Sequence, residues 1–289
     1  MQRLIMRRLS CIFIFLLFFT NLKAQQYEVI YELYIQASTE KDSLITEETS
    51  LVIFPEQQIS FFSNLGEQKR KDFFKQIREE AKINPDISHV DYSAVPEYVF
   101  AYSVLKNLKT NEHSFYEEVL GDTYTYGFDL NLNWNITGDK KQILDYACQK
   151  ATLHFGGRQW TAYFTQEIPF SDGPYKFHGL PGLILEIYSE DGDYSFSAKG
   201  IQTLKTEFIA PKSLKMRKAS LDKYKEKLAE KPSIAFVNKM QSSGLTGSVS
   251  YNGKPISNSQ VANTYDKEVK EWMKNHNNPI EKDMIWLDK

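Results

Sequence analysis

Alternation of apolar and polar positions is the strongest signal in this chain. In "YEVIYELYI", Tyr27, Val29, Tyr31, Leu33 and Ile35 fall on one side of an extended strand, with Glu28, Glu32 and Gln36 on the other. "EETSLVIF" and "QQISFFS" read as two further strands, separated by Pro55-Glu56. The longest alternation runs from Tyr124 to Ile136, through Tyr126, Phe128, Leu130, Leu132 and Trp134. It predicts one long strand, or two strands continuing a single face, with Gly127 allowing a bend. After "TGDK", "QILDYA" and "ATLHFGGRQWTAYFT" read as strands, the second folding back at Gly156-Gly157. "LILEIYS" and "DYSFSAKGIQTLKTEF" form another hairpin around Glu190-Asp191-Gly192.

Elsewhere the apolar period lengthens to that of a helix. "NLGEQKRKDFFKQIREEAK" carries Phe73, Phe74, Ile77 and Ala81 on a charged background, with Asn64 placed as N-cap. "LKMRKASLDKYKEKLAE" carries Leu221, Tyr224 and Leu228, and "QVANTYDKEVKEWMK" carries Val261, Tyr265, Val269 and Trp272. Strands dominate 25–210 and helices 211–289, with a Gly/Ser/Asn-rich loop over 242–259. The class is therefore α+β with an antiparallel sheet and several covering helices, in a single domain over 25–289 with no dividing linker or solenoid-length repeat.

The start of the chain adds an address. Arg3, Arg7 and Arg8 precede the apolar run "CIFIFLLFF", and "TNLKA" ends on a small residue. This is the pattern of a secretory signal peptide over 1–24, cut after Ala24, too short to span a bilayer. Cys11 precedes the apolar core, where a lipid-anchoring cysteine would follow it, so the expected product is an exported, periplasmic protein with no transmembrane segment. Cleavage leaves 31 cations against 37 acids, a formal charge of −6. With no basic stripe, nucleic acid is not an expected partner. Cys148 is then the sole cysteine, which excludes an intrachain disulfide.

Within "GPYKFHGLPGLILEI", Leu180-Pro181-Gly182-Leu183 has the residues of a type II turn, with Pro at the second position and Gly at the third. An apolar strand follows, not the helix or anion nest that a phosphate-binding loop requires, so the turn is read as architecture. Leu183, Leu185 and Ile187 face one way and Ile184 the other, as in a central, nearly buried strand.

Gly179, Leu180, Pro181, Gly182, Leu183 and Ile184 spell the signature of the GLPGLI family of exported bacterial proteins, which the chain resembles. "YACQKA", "GGRQWTAYFT", "EIP" and "DGPYKF" resemble the same family in order, so the likeness covers about 146–188. The resemblance implies export from a Gram-negative cell and no established reaction, substrate or cofactor. The pattern is also similar to that of periplasmic carriers with a curved, half-barrel-like sheet, which implies that shape here.

Candidate chemistry is sparse. No His-x-x-x-His or Cys-x-x-Cys spacing, Gly-x-Ser-x-Gly elbow or P-loop occurs, so no metal, cofactor or catalytic residue is assigned. Cys148 and His154 share the face of an extended segment about 20 Å apart, out of hydrogen-bond reach. Arg158 and Trp160 share a hairpin face, with Lys150 across from them, either as a ligand anchor or as a structural cation–π pair. The aperiodic stretch 166–178 holds Phe170, Tyr175, Phe177 and His178 and is the expected rim of a pocket. The candidate ligand-binding set is thus Lys150, Arg158, Trp160, Tyr175, Phe177 and His178. The expected role is non-enzymatic: carrying a lipid, peptide or other amphipathic ligand, or assisting outer-membrane transport. A thiol hydrolase using Cys148 and a scaffold docking other envelope proteins are the alternatives. The charged helices speak against a transmembrane barrel.

The leader assignment predicts that protein purified from the cell envelope begins at Gln25. Intact-mass measurement should find 1–24 missing, and a mass retaining them would overturn the assignment.

Overall fold

The computed structural model describes residues 26–40, 42–83, 94–119, 122–233, 249–251, 254–256, 258–282 and 284. The leader 1–24 with Cys11, His89 and most of the loop 242–259 lie outside them. Twelve strands form one sheet: β1 (Gln26–Gln36), β2 (Leu44–Phe54), β3 (Ile59–Asn64), β4 (Tyr102–Asn107), β5 (His113–Val119), β6 (Asp122–Phe128), β7 (Asn135–Ile143), β8 (Tyr146–Phe155), β9 (Arg158–Thr165), β10 (Leu183–Ser189), β11 (Tyr194–Leu204) and β12 (Leu214–Lys215). Their spatial order is β12-β6-β5-β4-β3-β2-β1-β11-β10-β9-β8-β7. All pairings are antiparallel except that of β12 with β6. Helices α1 (Leu65–Ile83), α2 (Lys218–Glu230) and α3 (Asn258–Asn275) and a small hairpin, β13 (Val249–Tyr251) with β14 (Lys254–Ile256), complete the described elements. The α+β class and the open, curved sheet are as the sequence and its resemblance led us to expect.

Chain connectivity dictates the curvature. β6 stands second from one edge and β7 forms the other edge, ten strand spacings away. In a flat sheet those spacings amount to ~48 Å. The seven Cα steps from Phe128 to Asn135 reach at most ~25 Å. The sheet must therefore curl until its two ends face each other. Ring contacts agree. Tyr175 lies 6.1 Å from Phe115 of β5, while Phe177 lies 4.7 Å from Trp160 of β9 and 5.7 Å from Phe155 of β8. One short segment thus touches both halves of the sheet from its concave side.

The concave side is the core. Val29, Tyr31, Leu33 and Ile35 of β1 lie there with Leu51, Phe62, Val104, Phe115, Trp160 and Phe196, all buried. α2 packs at Tyr124 through Tyr224 and buries Leu221 and Leu228, as its stripe predicts. Asn64 caps α1 by accepting from the Gly66 N–H at 2.6 Å.

Several local expectations change. The alternation from Tyr124 to Ile136 spans two strands at opposite ends of the sheet, because 129–134 leaves the ladder to bridge the facing ends. "TGDK" lies inside β7, where the register shifts between Ile136 and Lys140, and "QILDYA" is split by a turn at which Leu144 takes φ 51°. On α3, Trp272 is 40% exposed and stacks on His276, while Met273 turns inward. The Leu-Pro-Gly turn is tighter than type II: the Gly182 N–H donates to Leu180 O at 2.8 Å, and the Leu183 N–H is taken by Ile168 O.

Gly182 has φ 152°, and a Cβ there would stand 2.0 Å from Thr165 O. Gly192 also has positive φ, at 81°, but faces open space. In urea titrations Gly192→Ala should cost about 1 kcal/mol, from backbone conformation alone. Gly182→Ala should cost about 3 kcal/mol or more, since backbone must move as well. Equal losses would contradict this reading.

Candidate functional site

Of the stretch 166–178, expected to rim a pocket, 172–178 is buried in the concavity, with Tyr175 and Phe177 fully buried, while Phe170 before it packs on Tyr27 at 5.2 Å. Local bonds fold it: Asp172 bridges His178, Phe177 N–H donates to Pro174 O, and Gly179 N–H donates to Ser171 O. Phe170 and Leu183 take Ile168 O as acceptor, so the stretch closes on itself before β10 begins. An aromatic segment carrying its own turn hydrogen bonds needs few partners from the sheet, which is why it can occupy a lumen.

Where it needs partners, the sheet offers one polar row. Strand register aligns Ser60 of β3 with Lys106 of β4, Lys106 with His113 of β5, and His113 with Phe128 of β6. Lys106 is fully buried, as is Asp172, and Nζ meets Asp172 Oδ1 at 2.5 Å. Nζ also donates to Gly173 O and, at 3.4 Å, to Phe177 O. Burial pushes the Lys106 ammonium below its usual range, against the pull of Asp172. The rings of His113 and His178 stand 4.8 Å apart, edge to face. Burial drives His113 down to about 4, with His178 and Lys106 adding to the shift, and burial likewise lowers His178. Both imidazoles are therefore neutral at pH 7. Among the described residues, three buried polar atoms in this neighbourhood lack a protein partner: Ser60 Oγ, His113 Nδ1 and Asp172 Oδ2.

A second anchor holds the other end. Tyr175 Oη donates to a carboxylate oxygen of Glu281, which also pairs with Lys176 Nζ at 2.6 Å. The strap carrying Glu281 is clamped by Arg158, whose guanidinium donates to Asn278 Oδ1 at 2.6 Å, Pro279 O at 2.8 Å and Ile280 O at 3.0 Å. The same guanidinium meets Asp191 and Asp193, each at 2.5 Å, and lies over the Tyr194 ring at 5.1 Å.

Of the residues singled out from sequence, Arg158, Trp160, Tyr175, Phe177 and His178 do come together, but as interior supports. Arg158 and Trp160 are 1% and 0% exposed, every guanidinium nitrogen of Arg158 has a partner, and Trp160 Nε1 donates to Phe155 O. Lys150 is not with them. Opposite Tyr163 on β9, it faces outward and lies 3.8 Å from Asp139. Cys148 is buried, and its thiol points to Tyr146 O at 3.6 Å. Burial pushes that thiol up to about 11, away from the thiolate a nucleophile requires. His154 sits on the same strand, exposed. No group of three or more His, Cys, Asp or Glu among the described residues is placed to hold a metal.

Lys106, His113 and Asp172 are the members that sequence reading missed. Lys106 and His113 occupy inward slots of period-two segments, after Tyr102 and Val104 and before Phe115, respectively. A polar residue in an apolar slot was the available signal.

The model of the family described as "Protein of unknown function (Porph_ging)" matches residues 156–186. That span runs from the β8–β9 turn through the interior segment into β10, and it carries the blocks on which the GLPGLI resemblance rests, apart from "YACQKA" at 146–151. No curated protein matches the chain. Among solved structures, PNGF-II in a C2 crystal form is similar at 14% identity and TM-score 0.46, over 68% of this chain and 32% of that one. PNGF-II in a P21 form is similar at 14% identity and TM-score 0.48, over 69% and 33%. An uncharacterized conserved protein from Thermus thermophilus is similar at 6% identity and TM-score 0.36, over 68% and 91%. The chain covers about a third of the length of PNGF-II. Likeness this distant carries no functional argument.

Removing one partner of a buried pair strands the other charge, so Lys106→Met should lower stability by about 3–5 kcal/mol. Adding Asp172→Asn should recover part of that loss, because no unpaired charge remains. Urea titration of the four corners of the cycle checks this, and additive losses would show that the two do not act as a pair.

Proposed function

We propose that the protein is a non-enzymatic binding protein of the bacterial cell envelope that works by docking another envelope protein on its outer surface. The observation that carries this reading is the filled concavity: where a carrier of this shape would hold cargo, Tyr175 and Phe177 of the chain itself are packed at zero exposure. The buried thiol of Cys148, pushed up to about 11, argues against the hydrolase alternative. On the outside, Ile209 and Leu214 project 84% and 56% exposed from the segment leading from β11 to α2. Phe208, next to Ile209 in the chain, is anchored on Phe54 and Phe61 at 5.6 and 5.7 Å. An anchored aromatic followed by an exposed aliphatic side chain, with a second exposed leucine further along the same connection, is the kind of surface a protein partner covers. Residence in the envelope rests on the leader pattern in 1–24. No described helix is long and apolar enough to cross a membrane.

Native mass spectrometry of protein gently purified from its own envelope distinguishes docking from carriage. A bare chain mass, together with cross-links to a defined protein that fade in Ile209→Asp or Leu214→Asp, is the expected outcome. A discrete added mass removed by organic extraction would mean a carrier and overturn the reading.

A further inference from the structure

The buried row around Lys106 contains more ionisable groups than fastening the interior segment requires. One lysine and one carboxylate suffice for the pin. His113 and His178 add two imidazoles in ring contact, one from the sheet and one from the segment, at 2% and 8% exposure. We propose that this histidine pair is an acid-operated release: as protons enter, segment 168–182 leaves the concavity and the aromatic concave face becomes accessible.

The surroundings of the pair carry the argument. β4 contributes the Lys106 ammonium, and the segment contributes the Asp172 carboxylate to which that ammonium is already bound. β1 contributes the Tyr31 hydroxyl, whose proton is held by Ile184 O at 2.6 Å. Lys176, the next cation along the segment, lies 5.0 Å from the Phe128 ring that also contacts His113, and its own carboxylate partner is Glu281 of the strap. His113 Nε2 is bonded to Asn111 Oδ1 and His178 Nδ1 to Lys176 O, at 3.0 and 2.9 Å. Near the pair there are thus two standing ammonium groups, and each carboxylate already has a cation partner. Asp172 favours a proton on either imidazole, and backbone acceptors of Lys176 and Leu130 favour one on His178, but burial is the largest influence on both and opposes it. A second proton places like charges on touching rings.

Release removes that penalty. With the segment out, both imidazoles reach water, where a histidine titrates near pH ~6.5. The closed state disfavours those protons, since burial lowers His113 to about 4 and lowers His178 as well. The open state therefore binds more protons between these limits, and falling pH favours opening. The shift is at most about tenfold per pH unit for each proton taken up, or ~100-fold for two. The ammonium of Lys106 is charged in both states over this range and does not drive the change. What leaves is a unit: 168–182 carries its own turn bonds, while β1 keeps its ladders to β2 and β11. The proposal does not depend on the docking reading, since it concerns the concave face.

Hydrogen exchange of the full protein, corrected for intrinsic rates and followed from pH 7 to pH 4, tests it. Amides in 168–182 should lose at least tenfold protection between pH 6.5 and 4.5, while those of β1 and β11 stay protected. In the variant combining His113→Gln and His178→Gln the segment should remain protected to lower pH. Loss of segment and sheet together, persistence of segment protection at pH 4, or an unchanged midpoint in the variant would each overturn the proposal. Should the variant not fold, histidine ring resonances of the natural protein decide. His113 and His178 should shift only as the segment opens, and titration near pH 6.5 with the segment still protected would refute the mechanism.

Discussion

Everything in this molecule depends on the shortness of the link between β6 and β7. Those strands stand ten places apart in the sheet, and a six-residue span joins them. Only a sheet rolled toward closure permits that. A rolled twelve-stranded sheet encloses more width than its own side chains fill, because the diameter grows with strand number. The remaining space has to hold water, a ligand or chain. Here it holds chain: the segment after β9, the helix α2 and the strap before the C-terminus.

Each of these fillers is fastened by a lysine–carboxylate pair shielded from water. Lys106–Asp172 joins sheet to segment, Lys176–Glu281 joins segment to strap, and Lys225–Glu117 joins α2 to the sheet. Such pairs contribute little net stability relative to an apolar replacement, because desolvation offsets the attraction. Their energetics are asymmetric, however: one partner without the other is several kcal/mol worse than both or neither. That asymmetry penalises any misplacement of a filler. Arg158 does the equivalent for the strap and the β10–β11 hairpin through Asp191 and Asp193.

The same chemistry separates fastening from switching. Lysine and carboxylate hold their charges across ordinary pH, so they locate the segment without making its position respond to acid. Histidine is the side chain whose proton affinity lies near neutrality, and two of them sit where burial disfavours the charge. A rolled sheet with a filled interior has two states available, filled and emptied, and what decides between them is the charge in the polar row.

How much of this was legible beforehand can be judged element by element. β1 and the β8–β9 hairpin were readable because one face of each is more deeply buried than the other, which writes period two into the sequence, and β10 because a short apolar run after a Pro-Gly turn marks a strand buried on both faces. β4 and β5 were not, because their inward slots hold Lys106, His113 and Glu117, and an alternation of burial is then no longer an alternation of polarity. Tyr175 and Phe177 were noticed for their aromatic rings, yet an aperiodic stretch has no face, so nothing local says whether its rings point out to a ligand or inward to a sheet. Lys150 and Arg158 show the same limit: both are cations on one hairpin, and only the register puts one outside and the other under the strap. The sequence by itself determined the local periods, the turns that demand glycine and the strand-rich class. Strand order, the roll of the sheet, what fills it and which charges meet inside were decided only in the tertiary structure. Their partners lie 33 to 122 residues apart in the chain, as Arg158 with Asp191 and with Ile280 do. No pattern read along a single stretch can register an energy that exists only between two of them.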